Sequence, residues 1–429
     1  MTYKILYSAC LILLFNSCVS PPNEYTQLPP GQWRGILKLS DPEQKTIQGS
    51  EDMGSQQDYF ELPFNVETTY EDGNLSVYLI NGAERLQVEQ VHYGRDKSTA
   101  KDTLLLDMSA FDTKMEGFYE GNYIEGEWIV NYKDGYSIPF IMTYGQEHRF
   151  KLNEQANTTD FDGNWKMIFD YDGDPYPGVA ELTQKGGQLA GTILTETGDY
   201  RYLEGDAFGD KMRLSVFDGA HAFLFSGSLD NDTIYGEFRS GKHYKSRWYA
   251  VKEATTLADP DDMTQSTTTE PVELSYVTSS GQDFKLSEQP DSKLTIINIM
   301  GTWCPNCRDE INYLKELKSK PGYEDVQILS LAFEKYKDQS RALTQLERYK
   351  ASMGMDWPIL LGGYADKKAN SEALTFIDRL YSYPTMIILD DERKVRHIHT
   401  GFSGPATSKY AEFKEEMARI LSEIINEAE

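Results

Sequence analysis

The sequence predicts a multi-domain protein in which two all-β domains, barrel- or sandwich-like, precede an α/β domain. From Gln32 to about Lys252, short runs of alternating apolar and polar residues recur between Gly, Asn and Asp turns, which is typical of antiparallel sheets. This region also repeats itself, since GQWRGILKL is echoed by GNWKMIFDY. Beyond Pro271, continuous apolar strands alternate with amphipathic helices, which indicates an α/β sheet.

Length and composition limit the number of domains and the kinds of partner. A chain of 429 residues is long enough for about two to four domains. Its net charge of −26 argues against a nucleic-acid partner or an anionic membrane surface. A hydrophobic content of 39% and 28 tyrosines indicate a folded, β-rich chain.

The N-terminus is predicted to be a targeting segment, residues 1–18. A single basic residue, Lys4, precedes an apolar run from about Ile5 to Phe15, which is too short to span a bilayer. The run ends at Cys18 and resembles a bacterial lipoprotein signal, which implies that Cys18 is lipidated. The alternative is an ordinary secretory signal with an incidental cysteine.

A lipid on Cys18 predicts how the protein is held in the cell. No other stretch of the sequence is apolar and long enough to cross a membrane, so the lipid would be the anchor. Residues 19–30 are rich in proline and are predicted to form a tether. The expected location is the bacterial cell envelope, lipid-anchored at the outer membrane and facing the periplasm.

Two β-domains are predicted at about 31–152 and 157–252, the second a repeat of the first. Each begins with Gly-x-Trp and ends with a hairpin that pairs glycine with an aromatic residue. Trp33 and Trp165 are expected to fill the two cores. The pattern loosely resembles a small lipocalin-like up-and-down barrel. Without cysteines or a recognisable nucleophile, these domains are expected to be non-catalytic and to position or recruit a partner.

One acidic loop, DYDGDPYPGVAE, resembles a calcium-binding loop in its spacing. Asp170, Asp172, Asp174 and Glu181 occupy the corresponding offsets. However, Pro175 stands where a calcium loop needs glycine, and no helices flank the segment. A hairpin turn is therefore the prediction, and a calcium site the alternative.

A Thr- and Asp-rich segment, 253–271, is predicted to be a flexible linker to the α/β domain, 272–429. KLTIINIM and DVQILSLAF are expected to be buried parallel strands. A helix should begin at the first cysteine of GTWCPNCRDE, a second should end at Gly354, and an amphipathic helix should close the chain.

The chain has four cysteines, and their positions limit what they do. If Cys18 is lipidated and Cys10 is removed with the leader, Cys304 and Cys307 are the thiols of the mature chain. A structural disulfide across so short a loop would constrain the unfolded chain little.

A structural zinc site is the next alternative for this pair, and it normally needs four ligands. The nearest candidates, His397 and His399, lie on one face of a predicted strand and are more easily explained as partly exposed strand residues. We therefore expect no metal, and redox chemistry remains.

The predicted strand–CxxC–helix order gives each residue of the motif a physical role. Cys304 would lie at a helix N-terminus, where unpaired N–H groups favour the thiolate, the attacking form. Cys307, one turn later on the same face, could resolve a mixed disulfide. Pro305 suits a first helical turn. Glu310 could accept the proton of Cys307, although an ordinary surface glutamate is the alternative.

These residues resemble the thioredoxin superfamily, and within it the TlpA/ResA branch. The resemblance rests on Trp303-Cys304-Pro305-Asn306-Cys307, on Glu310, and on Tyr383-Pro384-Thr385 before a β-hairpin. It covers just over a third of the chain and implies a thioredoxin-like fold, an extracytoplasmic thiol–disulfide oxidoreductase and a cis peptide bond at Pro384.

The resemblance also implies a site and its partners. The catalytic residues would be Cys304, Cys307, Glu310 and Pro384, and the first two would form the redox disulfide. Substrate contacts would come from the neighbours of these residues, Trp303, Pro305, Tyr383 and Thr385. The implied partners are a disulfide-bearing protein substrate and a membrane thiol donor that keeps the site reduced. No cofactor is expected.

Other functions are weighed against this one. A peroxiredoxin needs Thr or Ser three residues before its reactive cysteine, where this chain has Gly301. A copper-delivery relative would use Cys-x-x-x-Cys, and the spacing here is one residue shorter. A lipoprotein binding module, whose thioredoxin-like domain handles peroxide or metal, stays open. Dithiol-dependent reduction of insulin would separate it from a redox enzyme.

Overall fold

The computed structural model describes residues 27–39, 60–150, 159–323 and 325–427. The predicted leader, with Cys10, and the predicted lipidation site, Cys18, lie outside these residues. In the described part of the chain, no helix has both the length and the apolar character needed to cross a membrane.

The first sheet is antiparallel and open at both edges, and we call it the open sheet. Within the described residues it has nine strands in the order β4-β3-β2-β1-β9-β8-β7-β6-β5. Trp33 is fully buried in its core, as predicted. The strands are β1 (Gly31–Lys38), β2 (Glu61–Glu71), β3 (Asn74–Asn81), β4 (Glu84–Gln87), β5 (Gln90–Arg95), β6 (Asp102–Met108), β7 (Thr113–Glu120), β8 (Tyr123–Val130) and β9 (Ser137–Tyr144).

The second sheet closes on itself as an up-and-down barrel. Its order is β11-β10-β18-β17-β16-β15-β14-β12-β13, and an additional pairing of β11 with β12 completes the ring. Trp165 is buried in its core, as predicted. Two all-β domains are thus confirmed, one a half-barrel and one a barrel. The barrel strands are β10 (Gly163–Phe169), β11 (Tyr176–Lys185), β12 (Gln188–Thr195), β13 (Gly198–Asp199), β14 (Leu203–Phe208), β15 (Lys211–Phe217), β16 (Ala222–Asp230), β17 (Thr233–Ser240) and β18 (Tyr244–Val251).

The acidic loop is a hairpin turn between β10 and β11, as predicted. The N–H of Asp174 donates to Oδ2 of Asp170 at 3.2 Å. Asp172 forms an ion pair with Arg247 on β18. Glu181 lies within β11, beyond the turn. The four acidic residues therefore belong to a turn and its neighbouring strand.

The α/β domain has the predicted thioredoxin-like fold. Its sheet has the order β20-β19-β23-β22-β21-β24-β25, in which β21, β22 and β23 run parallel and β24 and β25 are antiparallel to their neighbours. The strands are β19 (Ser275–Thr278), β20 (Asp283–Lys285), β21 (Leu294–Met300), β22 (Gln327–Glu334), β23 (Ile359–Tyr364), β24 (Thr385–Asp390) and β25 (Val395–Thr400). The helices are α1 (Pro305–Lys318), α2 (Gln339–Met353), α3 (Lys367–Ala373) and α4 (Lys409–Glu427).

The prediction of a flexible linker at 253–271 is wrong for its second half. Met263 and Thr264 are buried against the α/β domain. The N–H of Thr267 donates to the carbonyl of Phe376 at 3.1 Å. This polar segment is ordered because its backbone groups find partners in the domain, which composition alone does not reveal.

A buried arginine joins the open sheet to the barrel. Arg149 donates from Nε to the Ser215 hydroxyl at 3.0 Å and from Nη2 to Oδ1 of Asn81 at 2.8 Å. Its Nη1 pairs with Glu204 at 2.7 Å. Because its guanidinium is fully buried and bonded to both sheets, Arg149 fixes one sheet against the other.

Candidate active site

The two cysteines lie where β21 leads into α1. Cys304 is the N-cap residue of α1, and its Sγ accepts a hydrogen bond from the N–H of Cys307 at 3.3 Å. Both side chains are free thiols. Cys304 is 7% exposed whereas Cys307 is 0% exposed, so the first thiol is the one that solvent can reach.

The start of α1 favours negative charge at the first thiol. Pro305 occupies the first helical turn, where no N–H is required. The remaining N–H groups of this turn lack intrahelical acceptors, and the helix dipole adds to their field. An anionic sulfur at Cys304 is therefore stabilised by groups that the helix itself supplies.

The second thiol is harder to ionise. Burial raises the pKa of Cys307, and the side chain of Cys304 raises it further. Cys307 consequently keeps its proton at neutral pH unless a nearby base accepts it.

Glu310 is fully buried, so the alternative of an ordinary surface glutamate is wrong. Burial raises the pKa of Glu310 to about 8, although a hydrogen bond from Asn298 opposes the shift. Among the described residues, Oε1 of Glu310 has no hydrogen-bond partner. A carboxyl group in this state can gain or lose a proton near neutral pH.

A chain of buried polar side chains holds Glu310 in place. The Asn298 amide donates to Oε2 of Glu310, Ser330 donates to Oδ1 of Asn298 at 3.2 Å, and the Trp357 indole donates to Ser330 at 3.0 Å. We did not predict this network from the sequence. Its signal was present, because Asn298 and Ser330 are polar residues inside the apolar strands KLTIINIM and DVQILSLAF.

A second buried glutamate supports the loop before the dithiol. Glu334, at the end of β22, accepts hydrogen bonds from the N–H of Thr302 at 3.0 Å and from its hydroxyl at 2.8 Å. Burial raises the pKa of Glu334 to about 7. The Trp303 indole donates to the carbonyl of Phe333 at 3.0 Å. Strand β22 therefore helps to position the loop before the dithiol, and the sequence analysis missed Glu334.

The Tyr383–Pro384 peptide bond is cis, as the resemblance implies. The Cys304 thiol donates to the carbonyl of Tyr383 at 3.7 Å, so this loop borders the reactive sulfur. The Tyr383 ring contacts the edge of Trp303, with centroids 5.4 Å apart. Its hydroxyl accepts a hydrogen bond from Asn370 at 2.8 Å.

The residues predicted to contact substrate separate into two groups. Trp303, Pro305 and Tyr383 line a cleft beside Cys304. Thr385 is fully buried, and its hydroxyl donates to the carbonyl of Ser382 at 2.9 Å. Thr385 therefore supports the loop and does not reach the cleft, contrary to the expectation.

The far wall of the cleft comes from the barrel. We call residues 195–201 the barrel hairpin, since they run from the last residue of β12 through β13. The Asn306 amide, between the two cysteines, donates to the carbonyl of Asp199 at 3.3 Å. Oδ2 of Asp199 accepts from the N–H of Gly404 at 2.7 Å. The hairpin thus touches the motif itself.

The barrel hairpin also contacts the loop before the cis proline. The Ser382 hydroxyl donates to the carbonyl of Thr197 at 3.1 Å. The Tyr381 hydroxyl donates to Oε2 of Glu196 at 2.9 Å. The barrel therefore borders the site directly, and no local pattern in the sequence marks these long-range contacts.

Arg201 connects the barrel to the open sheet and to helix α1 at this junction. Its guanidinium is buried and pairs with Glu84 of the open sheet and with Asp309 of α1. It also lies 3.8 Å from Oδ2 of Asp218 in the barrel. Burial raises the pKa of Asp309 to about 7, and the charge of Arg201 opposes that shift. The first helix is therefore anchored to the barrel through charge.

One group of side chains in the described part of the chain could hold a metal ion. Ligand atoms of Asp261, His397 and His399 all lie within 4.8 Å of one another. His397 and His399 share one face of β25, as predicted. Oδ1 of Asp261 lies 2.9 Å from Nδ1 of His399 and 3.4 Å from Nε2 of His397. Asp261 was missed because it lies in the supposed linker.

Comparison with known proteins identifies the domain. The family model described as Redoxin matches residues 260–413. The chain is 26% identical over 129 residues to thioredoxin-like protein YneN of Bacillus subtilis, covering 30% of this chain and 68% of that protein. It is 25% identical over 152 residues to thiol:disulfide interchange protein DsbE of Escherichia coli, covering 34% of this chain and 72% of that protein.

A solved structure, a thiol:disulfide interchange protein of the thioredoxin family from Chlorobium tepidum, aligns with 38% of this chain and 99% of its own. Its TM-score is 0.27 and its sequence identity is 19%. The matched family and the curated relatives show that the C-terminal part of the chain, residues 260–413, is a Redoxin domain similar to thioredoxin-family thiol–disulfide oxidoreductases.

Proposed function

We propose that the protein is a membrane-anchored, extracytoplasmic disulfide reductase that acts through Cys304 and Cys307. The observation that carries the proposal is the paired placement of the thiols. Cys304 caps a helix N-terminus and lines the cleft with 7% exposure, whereas Cys307 is 0% exposed and does not line it. This is the asymmetry that an attacking thiol and a resolving thiol require.

In the proposed reaction, the Cys304 thiolate attacks one sulfur of a substrate disulfide. The substrate S–S bond breaks, one half leaves as a thiol, and the other half remains in a mixed disulfide on Cys304. Cys307 then attacks Sγ of Cys304, and the second half leaves as a thiol. Two electrons pass to the substrate, and the enzyme ends with a Cys304–Cys307 disulfide.

Glu310 supplies the proton acceptor in this scheme. Cys307 must lose its proton before it attacks, and burial holds the pKa of Cys307 above its ordinary value. Glu310 is buried on the same helix, with a pKa of about 8 and an unpaired Oε1. It can therefore take the proton and return it to the leaving thiol.

Pro384 and its neighbours orient the substrate in the proposal. The carbonyl of Tyr383 faces the Cys304 thiol. Pro384 follows Tyr383 directly, in the loop that borders this sulfur. Trp303 and Pro305 line the same cleft beside the Cys304 thiol.

The direction of the reaction and the anchor are also part of the proposal. Reduction of the substrate follows from the resemblance to the TlpA/ResA branch, in which a membrane thiol donor keeps the dithiol reduced. Cys18 would carry the lipid, which places the protein in the cell envelope. Fatty-acid labelling of wild type but not of Cys18→Ala would support the anchor, and equal labelling would remove it.

The reductase function is tested with a dithiol donor and hydroxyethyl disulfide. Wild type should catalyse the reduction, and Cys304→Ala should reduce catalysis to background. If Cys304→Ala keeps the wild-type rate, the chemistry lies elsewhere and the proposal fails.

A further inference from the structure

The barrel hairpin covers both loops that border the reactive thiol. On one side it accepts a hydrogen bond from Asn306, within the CxxC motif, at 3.3 Å. On the other side it accepts hydrogen bonds from Tyr381 and Ser382, just before the cis proline, at 2.9 and 3.1 Å. A protein that docks on the surface around Cys304 would have to occupy these same positions.

The packing between the hairpin and these loops leaves no room for another chain. A Cβ atom added at Gly198 would lie 2.0 Å from Nδ2 of Asn306. A Cβ atom added at Gly401, in the loop after β25, would lie 3.1 Å from the carbonyl carbon of Thr197. These close approaches mean that a polypeptide can reach the thiol only if the hairpin moves.

The remaining access is a cleft with a volume of about 290 Å³. Cys304, Trp303 and Tyr383 line one side, and Tyr200 and Phe223 of the barrel line the other. Pockets for small organic ligands have volumes of roughly 300 Å³ and above. A stable protein–protein contact instead needs roughly 800 Å² of surface on each partner, which this opening does not offer.

Buried charges hold the hairpin in this position. Arg201, its last residue, pairs with Asp309 on α1 and Glu84 on the open sheet, and its Nη1 donates to the carbonyl of Pro305 at 3.3 Å. Separating the barrel from α1 would leave buried charges without partners, which is strongly unfavourable. The covered arrangement is therefore a stable state of the molecule.

We propose, on the basis of the reductase function above, that the substrate of Cys304 is a low-molecular-weight disulfide that enters the cleft. The family resemblance implies a protein substrate, and this proposal assigns a small-molecule disulfide in its place. The substrate S–S bond breaks as Cys304 attacks, and two small thiols leave in turn. A low-molecular-weight dithiol donor that enters the same cleft supplies the two electrons that restore Cys304 and Cys307, and is itself oxidised to a disulfide.

The experiment compares two substrates with the whole protein under one dithiol donor. The first is hydroxyethyl disulfide, and the second is insulin, a folded protein with disulfides. For each substrate, the rate constant with wild type is divided by the rate constant with free dithiol alone. This acceleration should be at least about tenfold larger for hydroxyethyl disulfide than for insulin. Comparable accelerations of both would overturn the small-substrate inference while leaving the reductase function in place.

Gly198→Leu tests whether the hairpin is the cause. The added side chain must displace the contact with Asn306, so the insulin rate should rise about tenfold relative to the hydroxyethyl disulfide rate. Gly186→Leu is the matched control, because Gly186 lies in another barrel turn with positive φ and open space around it. Its rate ratio should equal that of wild type.

Two controls separate the possible outcomes. Circular dichroism shows whether Gly198→Leu folds, and reduction of hydroxyethyl disulfide by wild type shows whether the protein is a reductase. A folded Gly198→Leu protein with an unchanged rate ratio would contradict the role of the hairpin. If Gly198→Leu does not fold, the wild-type comparison of the two substrates still decides the inference. Failure of wild type to reduce either disulfide would remove the reductase function itself.

Discussion

The Asn298 amide on β21 donates a hydrogen bond to the Glu310 carboxylate on α1, and both side chains are fully buried. A buried carboxylate resists ionisation, and a donated hydrogen bond favours its charged form. The balance leaves Glu310 with a pKa of about 8, so its carboxyl group can exchange a proton near neutral pH. This pair therefore sets the proton chemistry available to the buried thiol.

Replacing Glu310 with glutamine should slow the step in which Cys307 resolves the mixed disulfide. With a pKa of about 8, the wild-type carboxylate becomes charged as pH rises through that value, so the rate should rise there. Glu310→Gln should lose this rise and be slower by about 10²-fold near pH 8. The loss should shrink at higher pH, where Cys307 ionises unaided.

The measurement is a pH–rate profile of the resolving step. At each pH the reaction is quenched with acid at successive times, and the amount of mixed disulfide is determined by mass spectrometry. Glu316→Gln is the control, because Glu316 lies on the same helix with a side chain 43% exposed. It should behave as wild type. A profile for Glu310→Gln that matches wild type would show that Glu310 accepts no proton.

Asn298→Ala should move the inflection of that profile to higher pH. The hydrogen bond from Asn298 lowers the pKa of Glu310, so its loss raises the pKa above about 8. Ser330→Ala, which removes the contact at 3.2 Å to Oδ1 of Asn298, should cause a smaller shift in the same direction. An inflection that stays in place or falls in Asn298→Ala would contradict the proposed pairing.

Asp261→Asn should loosen the segment that precedes the α/β domain. Burial opposes ionisation of Asp261, but hydrogen bonds from His397 and His399 outweigh it and hold the pKa of Asp261 below its ordinary range. A lowered carboxyl pKa stabilises the fold above the unfolded pKa, and this contribution is lost as pH falls through the folded pKa.

The free energy of unfolding should therefore drop by about 1–3 kcal/mol in Asp261→Asn at pH 6. The difference should narrow below about pH 4, near the pKa of aspartate in an unfolded chain. Urea unfolding of wild type and Asp261→Asn, at pH 6 and below about pH 4, measures this difference in the free energy of unfolding. Asp291→Asn, at an exposed aspartate of the same domain, should leave the free energy unchanged. Equal stability of wild type and Asp261→Asn at pH 6 would mean that the segment is not held by these contacts.

Much of the architecture could be predicted from the sequence because it is encoded locally. Alternating apolar residues between turn residues predicted the β-strands around Trp33 and Trp165. The apolar runs of β21 and β22 predicted a buried parallel pair, and the structure has it. The motif Trp303 to Cys307 predicted the start of α1 at the first cysteine.

The contacts around the site could not be predicted, since they join residues far apart in the chain. Arg201 and Asp309 are separated by 108 positions, and neither belongs to a recognisable motif. The segment around Asp261 is polar and rich in threonine, yet its partners lie in β25, 138 positions away for His399. Composition indicates how much apolar surface a segment could bury by itself. It does not reveal the hydrogen-bond partners that a distant part of the chain supplies.

The central claim is that Cys304 attacks the substrate and Cys307 resolves the intermediate. Reacting Cys307→Ser with hydroxyethyl disulfide and mapping the adduct by peptide mass spectrometry tests it most directly. A stable mixed disulfide on Cys304, absent from the Cys304→Ala variant, is the predicted result. An adduct elsewhere in the chain, or none on Cys304 while wild type still turns over, would contradict the claim.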